Sequence, residues 1–489
     1  MSGLPNFSQF VNPGVYWSQT STAAIGVIGG SPTVVALVGP GIGYRTFSDT
    51  LTLTGTTVQP LSQLGVSDAS IVVTSTDGSI VYVATTDYTI ATAASTDGNA
   101  LDTTNTIVRV GAGAISSGET IVVSYQYTDS AYYMPVLCNN YATVEALFGA
   151  AIDSTTGAIL SPLALAAQFA SSNGASSLIL VACQTSSGTT TTRSYLQAAY
   201  TKLAAVDTVD IVVPLPVGLT GTAIAPGDII NVGQDLDAFV NTQSNASIFQ
   251  IGIIGYETTE TVLPDAIAEA IDDQRTIEAW PNQLSYYNGF TNATQTISGY
   301  YLAAAIAGIF AKNPVQQGLT KQTVNGFSGI PPLVFATMTV ANKNLLSAAG
   351  VCVAEIVNGG SLQLRYGTTT QPDTVYTREA SLVRSQDFMI NSLVQTVTNA
   401  GLIGTPITEN TSAIITGLTT GGLNFMVKQG VINAFSGVVC TELSENPTIM
   451  EVTFAYKPSY PLNFITIAFS IDTSTGALVT GSTLANSVG

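Results

Sequence analysis

The sequence contains no histidine. That removes Ser-His-Asp and Cys-His nucleophile machinery, HExxH zinc sites and every imidazole proton relay. Charge of any kind is scarce: charged residues are 9% of the 489, against roughly 25% in ordinary soluble domains. Positive charge is scarcest. Thirteen Lys and Arg stand against 31 Asp and Glu, a formal net charge of −18, which argues against direct nucleic-acid binding, since phosphate contacts need a basic surface. There are four cysteines, Cys138, Cys183, Cys352 and Cys440, far apart and without a CxxC pair. They are expected as free, buried thiols made in a reducing cytoplasm rather than as a disulfide framework. No apolar run is long enough for a membrane. The longest, Tyr300–Ala311, stops at Lys312 and fits a buried core helix, so no membrane insertion is expected. No basic n-region and h-region of a signal peptide is visible.

Motifs of common chemistry are missing too. We find no P-loop, no GxSxG elbow and no EF-hand loop. Gly39-Pro40-Gly41-Ile42-Gly43 follows an apolar strand, as a dinucleotide loop would, but the next stretch, Thr46–Thr54, continues as β rather than opening a helix. The acidic pairs Asp207/Asp210, Asp235/Asp237 and Asp272/Asp273 are of the type used by glycosidases or divalent metals. Such pairs are more often caps or solvated surface. No catalytic, cofactor-binding or metal-ligating residue is therefore assigned, no cofactor is expected, and the chain reads as a non-enzyme.

What is abundant is uncharged residue. Hydrophobic residues make up 46% of the chain, and mean hydropathy is +0.36. A chain so poorly charged must cover its surface with Ser, Thr, Asn and Gly, or with other copies of itself. The charge is also uneven. Residues 1–311 carry 5 basic and 22 acidic residues, a balance of −17; residues 312–457 carry 8 of each; Asp472 alone remains. The acidic part is expected to face solvent and the balanced part to make contacts.

Residues 1–22 read as an N-terminal arm and 23–43 as a first core strand, Thr33–Val38, with its turn. Residues 44–130 carry short β-prone runs at regular spacing, such as Ile71–Ser75, Ile80–Val83, Thr106–Val110 and Thr120–Tyr127. Turn signals at Asp77-Gly78, Asp97-Gly98 and Ser117-Gly118 separate them, which predicts an inserted, surface-exposed β-sandwich or small barrel. Residues 131–345 alternate: Ser177–Cys183, Val209–Val213 and Phe249–Gly255 as strands, and Tyr195–Ala204, Asp235–Gln243 and Pro264–Ile271 as helices. That pattern predicts an α/β middle domain with helices on both faces of a sheet. Residues 346–489 read as an α+β domain with helices near 376–400 and 411–429 and strands from Val431.

Both ends of the chain look made for docking. Residues 1–30 hold no charged side chain and carry Asn12-Pro13-Gly14-Val15-Tyr16-Trp17, a turn and a short β-prone run. Near the other end, Met450, Val452, Phe454 and Tyr456 alternate with polar residues. A second run, Leu462-Asn463-Phe464-Ile465 onward, repeats the pattern with Ile465, Ile467, Phe469 and Ile471 on one face. Pro458 and Pro461 between the runs forbid one continuous strand and a two-residue hairpin. The last strand is thus free to pair elsewhere, by adding to an open sheet edge; an ordinary antiparallel closing pair is the alternative.

Pro13-Gly14-Val15-Tyr16, followed by Val34–Pro40, resembles the opening of contractile phage tail sheath proteins. So do the block Ser347–Glu355, then Leu364-Arg365-Tyr366-Gly367-Thr-Thr, where Tyr366 stands in place of a common Trp, and the Arg-bearing helical stretch Tyr376–Arg384. The C-terminal runs match as well, and the resemblance covers both ends and residues 130–489. It implies a multidomain α+β fold with a subtilisin-like middle domain, which without histidine cannot mean subtilisin-like activity. It also implies an inner C-terminal domain with exchanged terminal strands. The function implied is that of a late structural protein of the virion tail, made in the host cytoplasm. The subunit would polymerise as hexameric rings stacked in a helix around the tail tube, and contract to drive the tube through the host envelope for genome ejection. The partners implied are other copies, the tail tube protein, and the baseplate and tail terminator proteins. The inter-subunit arms would be Pro13, Gly14, Val15, Tyr16 and Trp17, with Leu462, Phe464, Ile465, Ile467, Phe469 and Ile471. Arg365, Arg378 and Arg384 are candidates for contacts to the tube or between subunits; local salt bridges with Glu379 and Asp387 are the alternative. The competing function is a viral surface protein binding host glycans through its β domain.

Overall fold

A computed structural model describes residues 33–41, 44–93, 104–128, 134–183, 192–218, 228–258, 262–357 and 360–465. The chain enters through β1 (Val34–Pro40), buried at every position. A strand with no polar alternation must be covered on both faces, so it belongs in the middle of a parallel sheet.

Between β1 and the next strand of that sheet lie seven antiparallel strands: β2 (Tyr44–Leu53), β3 (Gln59–Leu64), β4 (Val72–Ser75), β5 (Val81–Tyr82), β6 (Tyr88–Ala93), β7 (Thr104–Arg109) and β8 (Glu119–Thr128). They form two sheets, ordered β2-β8-β4-β5 and β3-β7-β6. Leu53, Val73, Tyr88, Ile107, Ile121 and Val123 pack in a core of their own. Asp49 of β2 ties the two sheets together, accepting hydrogen bonds from Ser62 N (2.9 Å) and from Tyr125 Oη (2.7 Å). These two antiparallel sheets thus lie between β1 and the next strand of the main sheet.

The main sheet resumes with β9 (Val136–Cys138) and the helices α1 (Tyr141–Phe148) and α2 (Pro162–Asn173). Alternation then follows: β10 (Ser177–Cys183), α3 (Thr192–Leu203), β11 (Ile211–Pro214), α4 (Asp228–Asn245), β12 (Ile251–Ile254), α5 (Pro264–Ile271) and β13 (Thr276–Trp280). A hairpin, β14 (Gln283–Asn288) and β15 (Ala293–Ser298), leads to α6 (Tyr300–Lys312). Next come α7 (Pro332–Thr337), α8 (Val340–Ala348), β16 (Val351–Ile356) and β17 (Leu362–Leu364). Eight strands run in the order β17-β16-β13-β12-β11-β1-β10-β9. The pairs from β10 to β16 are parallel, and β9 and β17 close the edges antiparallel. Helices cover both faces. Val35 and Leu37 point to α2 and α6, while Val34, Ala36 and Val38 point to α3, α4 and α5. The apolar run Tyr300–Ala311 is the helix buried against one face, and α2 crosses it so closely that a Cβ on Gly308 would lie 2.2 Å from the Ala170 carbonyl oxygen.

This topology moves one expected boundary. β16 and β17 lie within residues 346–364, yet they complete the central sheet rather than begin a separate unit. The reason is burial: Val351–Ala354 is apolar on both faces, which only an interior strand permits.

The remaining elements are α9 (Val375–Arg378), α10 (Ala380–Asn399), α11 (Thr411–Gln429), β18 (Ile432–Leu443) and β19 (Asn446–Pro458). One stripe of α10, Met389, Ile390 and Leu393, packs with Leu423 and Met426 of α11 and with Ile432 and Phe454 of the hairpin. The alternating run Met450–Tyr456 is β19, as its period implied, and its partner is β18 rather than the run after Pro461. Among the described residues Leu462–Ile465 is not a strand. Ile467, Phe469 and Ile471 lie outside the described residues, as do Pro13, Gly14, Val15, Tyr16 and Trp17.

Candidate assembly surface

β18 and β19 form a two-stranded sheet that pairs from Ile432 opposite Pro458 to Leu443 opposite Asn446. It packs on α11, but among the described residues no third strand pairs with either outer edge. A lone two-stranded ribbon is marginal by itself, and its free N–H and C=O rows are a template for further strands.

The chain leaves this hairpin along the surface. Tyr460 Oη hydrogen bonds Tyr376 Oη at 2.8 Å, and Asn463 Nδ2 donates to Glu379 Oε1 at 2.7 Å. The Phe464 ring stands 5.9 Å from that of Tyr366. Leu462, Phe464 and Ile465 are nevertheless 75–78% exposed. Three large apolar side chains this close together in water are unfavourable.

The three arginines separate. Arg365 sits beside Glu355, Nη1 to Oε2 at 3.1 Å, with Lys343 at 2.6 Å and Lys321 at 3.2 Å on the same carboxylate. Burial works against the Glu355 charge, yet the lysine hydrogen bonds hold its carboxyl below the ordinary value. Arg378 donates from Nε and Nη2 to the Pro372 carbonyl, at 3.0 and 2.7 Å. Arg384 is buried. It donates to the carbonyls of Phe310 and, at 3.1 Å, Asn313, where α6 ends, and to Thr33 Oγ1 at 2.8 Å. Those carbonyls are the negative end of the α6 dipole. Burial lowers the Arg384 guanidinium to about 10, and Asp210 opposes that shift. Enclosed in this way, Arg384 joins α10 to the starts of β1 and of the segment after α6, and presents nothing at the surface.

The alternative, local salt bridges of these arginines with Glu379 and Asp387, does not form. Asp387 takes both guanidinium nitrogens of Arg275, at 2.6 and 2.8 Å, in a buried bidentate pair. Nothing in the Arg275 context distinguished it in sequence; only the fold brings residues 112 positions apart together. Of the acidic pairs, Asp207 is exposed, and the other members have places in the fold. Asp210 Oδ2 accepts from Val34 N at 2.7 Å, and Asp235 binds Arg193 at 2.6 Å. Asp272 caps α5 in the left-handed region, and Asp273 Oδ1 accepts from Arg275 N at 2.6 Å. Asp237 accepts from Asn241 Nδ2 (2.9 Å) and Thr276 Oγ1 (3.2 Å), and burial with the nearby Asp273 carboxylate raises it to about 7. Among the described residues no group of three or more His, Cys, Asp or Glu could hold a metal ion. All four cysteines are free and buried, and burial raises Cys138 to about 11 and Cys183 and Cys352 to about 12.

Among known proteins, the chain is 28% identical over 473 residues to the tail sheath protein of Mycobacterium phage Bxz1, covering 95% of this chain and 78% of that one. Its fold matches the anti-feeding prophage helical sheath in the contracted state, with a TM-score of 0.55 at 12% identity over 94% of this chain and 99% of that one. A chain of the 6-fold symmetrised anti-feeding prophage baseplate matches equally, with a TM-score of 0.55 at 13% identity and the same coverage. No protein-family model matches the chain. These similarities do not support a glycan-binding adhesion protein. The chain is thus similar in sequence, along nearly its whole length, to a phage tail sheath protein, and it shares its mixed α/β fold with the anti-feeding prophage sheath.

Proposed function

We propose that the chain is the structural subunit of a contractile sheath. It polymerises as hexameric rings stacked in a helix around a tail tube and contracts to drive the tube through a host envelope. The similarity to a phage tail sheath protein across 95% of the chain carries this reading. The doubly wound sheet corresponds to the subtilisin-like middle domain, and the segment after Leu364 to the inner domain that faces the tube. Catalysis has no part: the subunit's work is mechanical.

The open edges of β18 and β19 support an arm-exchange mechanism. Pro13–Thr20 of one neighbour and Leu462–Ile471 of another add strands to the ribbon, converting a marginal pair into a four-stranded sheet. Covering Leu462, Phe464 and Ile465 gains about 1.5–3 kcal/mol per fully buried side chain. Such links persist while rigid bodies rotate, so an extended lattice can shorten without dissociating. The extended state is then a kinetic trap above the contracted one. Arg365 and Arg378, half-buried at the surface, are available for contacts to the tube or to neighbours. The baseplate and terminator proteins bound the two ends.

Negative-stain electron microscopy of the full chain, beside a version lacking residues 1–20, tests this. Tubes from the full chain and monomers from the truncation are expected. Monomers from both would refute the sheath reading; tubes from both would refute the role of the N-terminal arm.

A further inference from the structure

The chain leaves β19 through a seat of its own making. Tyr460 meets Tyr376 of α9, hydroxyl to hydroxyl. Pro461 lies on Gly318, where an added Cβ would stand 3.2 Å from the proline Cβ. Asn463 then turns its side-chain amide onto Glu379, the residue that precedes α10, and Nδ2 donates to Oε1 at 2.7 Å. Glu379 is 1% exposed, so the seat encloses an ionisable group. Only half of the pairing is made. Glu379 Oε2 and Asn463 Oδ1 are both buried, and neither has a hydrogen-bond partner. Each is an acceptor while the carboxyl is ionised, and two acceptors cannot satisfy one another. One proton on Oε2 changes that. A carboxylic acid and a primary amide carry matching donor and acceptor edges. The protonated side chain can therefore close a ring of two hydrogen bonds with Asn463, Nδ2–H to Oε1 and Oε2–H to Oδ1.

The surroundings leave the choice to Glu379. Burial raises its carboxyl above the ordinary value; the Tyr366, Asn463 and Ser381 side chains and the charge of Arg378 oppose that shift without reversing it. The other titratable groups facing it are Tyr366 and Cys352 of β16, and burial pushes both up to about 12. Both stay neutral across the range in which Glu379 changes charge. Opening the seat returns the carboxyl toward water, where it ionises at about pH 4.3. The closed seat thus holds the proton more tightly than the open one. Closure is favoured at low pH and weakens as pH rises through the raised value. What the seat controls is the path of the chain past it, where Leu462, Phe464 and Ile465 flank Asn463 with exposed apolar side chains.

We propose that Glu379 and Asn463 form a proton-dependent latch on the segment after β19, closed by two hydrogen bonds when the carboxyl is protonated and loosened to one when it is ionised. The latch lies within one chain, so it stands or falls separately from the sheath reading above. The test applies proteinase K to the full chain at pH 5, 6, 7 and 8, dilute enough to sediment as a monomer, and times cuts within residues 459–465 by mass spectrometry. Glu379→Gln is the reference. Its amide offers Asn463 the same donor and acceptor at every pH, and its rate at each pH cancels the pH dependence of the protease. Wild type should be cut at a similar rate to this variant at pH 5, and about fivefold faster at pH 8, the worth of one ordinary hydrogen bond. Asn463→Ala, half-buried at the surface, should melt like wild type. It should be cut about fivefold faster than wild type at pH 5, with the gap closing toward pH 8. A ratio of wild type to Glu379→Gln that stays constant from pH 5 to pH 8 would overturn the latch, and so would cutting of Asn463→Ala at the wild-type rate at pH 5. Because Asn463→Ala is compared with wild type in the same buffer, it decides the matter even where Glu379→Gln fails to fold.

Discussion

Glu278 lies on β13 with its side chain fully buried, and burial pushes its carboxyl well above the ordinary range. Tyr256 Oη donates to Oε1, while Oε2 has no partner. The folded state therefore holds a proton that the unfolded chain releases near pH 4.3. Stability conferred by that proton is complete below the unfolded value and is lost as pH rises toward the folded one. In that window the loss is about 1.4 kcal/mol per pH unit. Glu278→Gln removes the titration but keeps the shape. Its amide places a donor where Oε2 stands unpartnered, at a cost of about 1–3 kcal/mol. The stability of wild type relative to the variant should therefore fall as pH rises from 5 to 8. Asp210, raised by burial to about 6, and Asp237, raised by burial and Asp273 to about 7, titrate with the same sign. They act equally in both proteins and cancel in the difference. Trp280 is a local reporter, packed edge-on against Tyr256 with ring centroids 5.3 Å apart. With Trp17→Phe in both proteins it is the sole tryptophan, and urea titrations of its fluorescence at pH 5, 6, 7 and 8 give the two curves. Parallel curves across that range would refute the assignment of Glu278 as a proton carried into the core.

Removing Asp387 leaves the Arg275 charge buried without its partner, so Asp387→Ala should cost about 3–5 kcal/mol. Adding Arg275→Met should recover most of that in a double-mutant cycle by urea unfolding, and no recovery would refute the pairing. Gly308→Ala puts a methyl group 2.2 Å from the Ala170 carbonyl oxygen. The helices α2 and α6 must then part, at a cost of about 1–3 kcal/mol, visible as a lower melting temperature. The four buried thiols should resist a thiol reagent in the native protein and react at once in denaturant; stoichiometric labelling of the native chain would refute their burial.

Local patterns decided much of this protein. The absence of histidine fixes which chemistry is impossible whatever the fold. The apolar run Val34–Val38 could only be an interior strand, Tyr300–Ala311 only a buried helix, and Met450–Tyr456 only a half-buried strand. The β-runs of 44–130 marked short antiparallel strands, which pair in two sheets. Each of these follows from burial period, which is a property of neighbouring residues.

Tertiary structure decided what depends on distant partners. Val351–Ile356 looks from its position like the start of a last domain, yet a sheet edge at β13 captures it. Arg365, Arg378 and Arg384 are alike in sequence. One joins a cation cluster, one turns back on the Pro372 carbonyl, and one is sealed against the end of α6. Whether a guanidinium is a surface contact or a buried joint depends on which elements enclose it. Side-chain period does not encode that choice, because the enclosing elements lie far away along the chain.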